Sequence, residues 1–169
     1  MNPDWYPMNA EIWGAGSFDN DEAMDWIYRL GEAASTAPVR EALKLIRDNE
    51  GEYFETPECC RAIAAAEVVA AMYGTPAEDL PDEVRAWARL NKARVDVRLQ
   101  RLAFSALAII ARDSELRDLW IESGEGALWL EAVAGVRARL GVEAQDQSPI
   151  IPPLQDLPGA DAGFIHPSA

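Results

Sequence analysis

The chain has 169 residues, 49% of them hydrophobic with six Trp, which is enough for one domain with a proper core. A formal charge of −14 weighs against nucleic-acid binding, because affinity for phosphates is supplied mainly by Lys and Arg, and it favours a basic partner. The longest apolar stretch, AIAAAEVVAAMY, falls short of the roughly 20 residues of a membrane span and is interrupted by Glu67, so it reads as a buried helix.

In chain order, MNPDWYPMNAEIW is polar and broken by proline, without the basic and apolar regions of a secretion signal, so a cytoplasmic location is expected. FDNDEAMDWIYRLGEA begins with Asp19 and Glu22 in a capping-box-like spacing and predicts a helix from about 20 to 34. STAPVREALKLIRDNEGEY predicts a second, with Val39, Ala42, Leu43 and Ile46 on one face and Gly51 after its end. ETPECCRAIAAAEVVAAMYG predicts a third, with Thr56 as cap, Pro57 at the first helical position and Gly74 at the close. A fourth starts near Pro81 and carries Val84, Trp87 and Leu90 on one face. VDVRLQRLAFSALAIIARD predicts a long helix, basic at the surface early and apolar nearly all round later. DSELRDLWIESGEG supplies a short helix capped by Asp113 or Ser114, and ALWLEAVAGVRARLG a last one ending at Gly141.

No stretch alternates as a half-buried strand would, so the fold expectation is all-α. It is a single compact helical domain of about six or seven helices over 13–142. A short N-terminal extension, 1–12, precedes it, and a proline-rich tail, 143–169, extended or disordered, follows.

Candidate chemistry is sparse. The only histidine is His166 in the tail, so a Ser-His or Cys-His nucleophile is disfavoured, and no phosphate-cradling glycine motif is present. Cys59 and Cys60 are adjacent and read as reduced thiols, one facing the core and one facing out. In EIWGAGSFDNDEAMDW the acids offer oxygen ligands, yet their spacing does not match a calcium loop, and capping of a helix N-terminus explains them better. Glu67 stands among apolar neighbours and must be paired, hydrogen-bonded or neutral. It is either a proton donor or ligand in a pocket, or a pin accepting from a tryptophan N–H or from the backbone of a neighbouring loop. Gly14 and Gly16 fit the second reading, letting the corner lie against the Glu67 helix with Trp13 and Phe18 as anchors. The basic strip of Arg85, Arg89, Lys92, Arg94, Arg98 and Arg101 reads as internal pairing with acidic helix ends.

The stretches WGAGSFDNDEAMDW, YFETPE, AAAEVVAAMYG, LPDEVRAW and DSELRDLWIESGEGALW occur in order from Trp13 to Leu140. Together they resemble a bacterial family of small proteins, domain of unknown function 4259. The resemblance implies a helical domain with signature positions at Trp13, Gly14, Gly16, Phe18, Asn20 and Asp21, then Glu58 and Glu67, then Ser114, Glu115, Leu116, Trp120 and Ser123. It implies no activity. The signature reads as a packing and capping code, unless Asp21, Glu58, Glu67 and Glu115 converge into a carboxylate cluster.

The leading functional expectation is an acidic helical protein-binding module, of immunity or inhibitor type, that masks a basic surface on a toxin or other partner. Contact is expected at Asp48, Glu50, Glu52 and Glu55, and at Glu78, Asp79, Asp82 and Glu83. No catalytic residue, metal or cofactor is assigned. The alternatives are a carboxylate-based metal-binding protein or enzyme, and a self-associating scaffold.

Overall fold

A computed structural model describes residues 12–142 of the chain. Seven α-helices fold around one of their number: α1 (Asp21–Gly31), α2 (Ala37–Asp48), α3 (Thr56–Tyr73), α4 (Asp82–Asn91), α5 (Val97–Arg112), α6 (Glu115–Glu122) and α7 (Gly126–Arg139), with a 3-10 turn at Lys92–Arg94. The all-α expectation holds; the tail expectation lies outside the described residues. No helix among them is long and apolar enough to cross a membrane.

The central element is α3, which touches all six other helices. Its composition explains this position. Ala62, Ala64, Ala65, Ala66 and Ala70 are all buried, and their small side chains let neighbours approach from every side, where larger residues would hold them off. Val68, Val69, Ile63 and Met72 fill the gaps, so the helix is apolar nearly all round. The surrounding helices are amphipathic and turn one stripe inward: Trp26, Ile27 and Leu30 of α1, Val39, Leu43 and Ile46 of α2, Leu99, Leu107 and Ile110 of α5.

The helix ends differ from the sequence reading in instructive ways. The cap of α1 is Asn20, whose side chain accepts from Ala23 N at 2.7 Å. Asp19 is turned back into the preceding loop, while Glu22 pairs with Arg61 of α3 at 2.8 Å. The cap of α3 is Glu55, in a reciprocal box with Glu58, so Thr56 and Pro57 occupy the first two helical positions. Of the two candidates for α6, Ser114 is the cap: its Oγ accepts from Arg117 N and donates to Ile110 O. Leu90 is 86% exposed, and α4 instead buries Val84, Trp87, Ala88 and Asn91. Helical phase places Leu90 three residues from Trp87, on the outer edge of the stripe.

Both cysteines are buried, in contrast to the expectation that one faces out, because α3 has helices on both flanks. Burial pushes each thiol up to about 12 from an ordinary 9.0. The folded state therefore holds both thiols protonated while the unfolded state begins to ionise near pH 9. The stabilisation is complete below that pH and is lost as pH climbs from about 9 towards 12. In urea titrations across pH 8–11, the wild type should lose stability faster than a Cys59→Ala/Cys60→Ala variant, by up to about 1.4 kcal/mol per pH unit per thiol. Parallel slopes would contradict this.

Candidate functional site

The loop from Ile12 to Asn20 closes on itself. Ile12 and Asn20 form an isolated antiparallel bridge, Trp13 N donates to Asp19 O at 2.9 Å, and Asp19 N donates to Gly16 O at 3.1 Å. The Asp19 carboxylate folds over the two glycines and accepts from Gly16 N at 3.0 Å. A Cβ at Gly14 or Gly16 would lie 2.4 or 2.6 Å from Asp19 Oδ2. The glycines are therefore there to admit a carboxylate of this same loop.

This corner lies against α3, as the glycines led us to expect, but through other side chains. Ser17 Oγ donates to Glu67 Oε1 at 2.9 Å. Arg139, at the end of α7, grips the same carboxylate with both amino groups, Nη1 to Oε2 at 2.7 Å and Nη2 to Oε1 at 2.8 Å. Glu67 is thus a pin, held by an arginine and a serine in place of the expected tryptophan or backbone donors. The hydrogen bonds to Glu67 raise the Arg139 pKa above its ordinary value. Trp13 is 48% exposed and Phe18 half-buried, so the anchoring expected of Trp13 is supplied by Ser17 and by the buried Ile12.

The end of α7 is fixed by further tertiary bonds. Gln100 Nε2 donates to Leu140 O at 2.7 Å, and the Thr75 hydroxyl donates to Arg139 O. Gly141 has φ of 70° and packs under the Tyr73 ring, which a Cβ would strike at 2.4 Å. Glu115 joins α6 to α3. The Glu115 carboxylate accepts from Thr56 N at 2.7 Å and Thr56 Oγ1 at 2.9 Å, and Glu115 N donates to Phe54 O.

The four carboxylates do not form one cluster: Asp21 is exposed on the first turn of α1, Glu67 pins α7 and the corner, and only Glu58 and Glu115 share a place, accepting from the adjacent amides of Glu55 and Thr56 at the start of α3. Among the described residues no three His, Cys, Asp or Glu side chains gather as a metal ion would require. A crevice lies between the corner, α3, α6 and α7, lined by Gly14, Gly16, Cys60, Ile63, Trp120 and Trp129 among others. It has room for about one water molecule.

The surface acids fall into two groups. Asp48, Glu50, Glu52 and Glu55 precede α3; Glu78, Asp79, Asp82 and Glu83 follow it; all eight are exposed. The eighteen residues of α3 separate the groups by roughly 27 Å. In the first group Glu50 pairs with Arg112 at 2.9 Å. Two members of the basic strip are held otherwise than by acidic helix ends: Arg85 donates to the carbonyls of Ala77 and Glu78, and Arg94 to Ala34 O and Asn91 Oδ1. Guanidinium groups serve here as caps for unpaired loop carbonyls.

One exposed feature escaped sequence reasoning. Tyr53, 56% exposed, donates its phenol to Asp118 Oδ2 at 2.8 Å, a partner 65 residues away. That hydrogen bond, with the negative field of Asp118, Glu115 and Asp113, pushes the phenol up to about 12. The aromatic is ringed by acid drawn from two distant segments, which no local motif announces.

A small helical domain jointed by carboxylates, with a glycine corner closed by its own aspartate, is the class this geometry defines. The profile of the family described as Domain of unknown function (DUF4259) matches residues 11–132, and the chain belongs to that family. No curated protein and no solved structure matches it. Arg139, which completes the Glu67 pin, lies beyond the matched residues.

Arg139→Met should cost about 3 kcal/mol, since it strands the buried Glu67 carboxylate, and Glu67→Ala less, about 1–2 kcal/mol, since the guanidinium it leaves is partly exposed to water. The double variant Glu67→Met/Arg139→Met should recover most of that loss; additive losses in urea titrations would show that the pair itself is not the source. In the corner, Asp19→Ala and Gly16→Ala should each cost about 1 kcal/mol, with the double variant well short of their sum because both break one hydrogen bond. Full additivity would separate the glycine from the carboxylate.

Proposed function

We propose that this chain is an acidic, cytoplasmic protein-binding module that masks a basic surface on a partner protein, in the manner of an immunity or inhibitor protein. The observation that carries the reading is the exposed Tyr53 ringed by Asp113, Glu115 and Asp118, with Glu52 and Glu55 on the adjoining segment. Tyrosine is a favoured residue at interface centres, because its ring supplies contact area at small entropic cost. Acids around it attract Lys and Arg, and a net charge of −14 accelerates encounter with a positive surface.

Self-association is a second reading, favoured by the outer face of α7, where Leu128 and Leu130 are exposed beside Ala127, Ala134, Gly135 and Ala138. Sedimentation against concentration separates the two.

The direct test is capture of partners from a lysate of the source cells at low and moderate salt, followed by association kinetics with the captured protein. Glu52→Lys should slow association several-fold and flatten its salt dependence, while Tyr53→Ala should mainly speed dissociation. Kinetics unchanged in both variants would remove this face from the interface.

A further inference from the structure

Two helices, α3 and α7, are apolar nearly all round, and the fold treats them differently. Helices enclose α3 from every side, whereas α7 turns Gly126, Trp129, Val133 and Val136 towards α3, α5 and α6 and leaves its other side open. On that open side Leu128 and Leu130 stand at opposite edges, by helical phase, with the small residues Ala127, Ala134 and Ala138 between them. Glu131 is the one charged side chain among the exposed residues of α7. Outer faces elsewhere carry charge: α1 exposes Asp21, Asp25 and Arg29, and α2 exposes Glu41, Lys44 and Arg47. A long outer face this poor in charge, in a chain of net charge −14, is suited to being covered.

The chain itself carries a matching cover. Helix α7 ends at Arg139, Gly141 turns the backbone with φ of 70°, and the chain continues to Ala169. The stretch from Val142 to Ile150 can reach roughly 26 Å when extended, while Leu128 lies roughly 16 Å back along α7 from Arg139. Pro149, Pro152, Pro153 and Pro158 favour a polyproline II course, in which residues three apart share a face. Ile151, Leu154 and Leu157 have that spacing and would spread over roughly 19 Å, against roughly 16 Å from Ala127 to Ala138 on the helix. A proline-stiffened segment loses little entropy on docking, and a tethered one meets the face at an effective concentration in the millimolar range. A second copy of the chain meets it only at its own, far lower concentration. We propose that residues 150–157 dock along the outer face of α7 in the same chain, seating Ile151, Leu154 and Leu157 in the shallow strip between Leu128 and Leu130.

The test places p-benzoylphenylalanine at position 128 of the full chain and maps the products of irradiation by peptide mass spectrometry. The probe should join residues 148–158 of the same chain, and 15N-labelled chains mixed with unlabelled ones should give no mixed pairs. Ile151→Asp/Leu154→Asp should cut this product about tenfold or more, as loss of two buried apolar side chains predicts. A probe at position 44, on the exposed side of α2, should give little of it. Mixed pairs would assign the face to a second copy and overturn the proposal, and products with residues 1–11 would overturn it in favour of the N-terminal segment. So would a probe that joins nothing in its own chain, an equal yield from position 44, or a yield indifferent to the two aspartates.

Discussion

A carboxylate in the middle of an otherwise apolar helix has to be answered by the rest of the molecule. Glu67 lies in α3 between Ala66 and Val68 and is 4% exposed, so its charge is tolerable only with near-complete hydrogen bonding. Arg139 supplies two bonds and Ser17 a third. These donors are 72 residues downstream and 50 upstream, so satisfying one side chain forces both ends of the domain onto the centre of α3. The pairing contributes specificity more than net stability. A hydrophobic residue of similar size would pack there at no desolvation cost, but would not require α7 to stop where it does or the corner to sit where it does.

The same device recurs at smaller scale wherever the family signature falls. Asn20 caps α1, Glu58 caps α3 locally, Glu115 caps α3 from another helix, and Ser114 caps α6 while donating back to α5. Leu116 and Trp120 line the crevice with Gly14 and Gly16. Asn20, Glu58, Ser114 and Glu115 each sit at a joint between elements and satisfy a backbone group that helix geometry leaves unpaired. The signature therefore describes how the helices are assembled.

How much of this was readable in the sequence follows from the range of each interaction. Helices could be placed because periodicity and punctuation act within a few residues: Gly74 ends α3 in the left-handed conformation its position calls for. Caps were misassigned by one residue at Asp19 and Thr56, since Asp19, Asn20, Glu55 and Thr56 are all competent and only tertiary contacts choose among them. Asp19 was drawn away by the space over Gly14 and Gly16, and Thr56 by Glu115. That Glu67 needs a partner was legible from its neighbours. Which partner it has was not, because nothing local distinguishes Arg139 from Arg137, two residues earlier, whose guanidinium instead stacks over Phe104. The two runs of acid could be read from the sequence, but their spacing could not, since it depends on the eighteen residues of α3 that lie between them.

That separation constrains how such a domain could engage a partner. A standard interface covers about 800 Å² on each side, a patch about 30 Å across. Centred on Tyr53 it reaches about 15 Å in any direction, short of the acids at Glu78–Glu83, which lie roughly 27 Å along α3. Under the proposed reading, a partner seated over Tyr53 would thus be held by one acidic pole and merely steered by the other. Steering acts through the field and weakens over a Debye length of about 8 Å at physiological salt, whereas contact acids keep their effect at close range. Under the proposed reading the two poles would therefore differ in kind: charge near Tyr53 would govern both encounter and dwell time, and charge near Asp82 would act on encounter alone, and only at low salt.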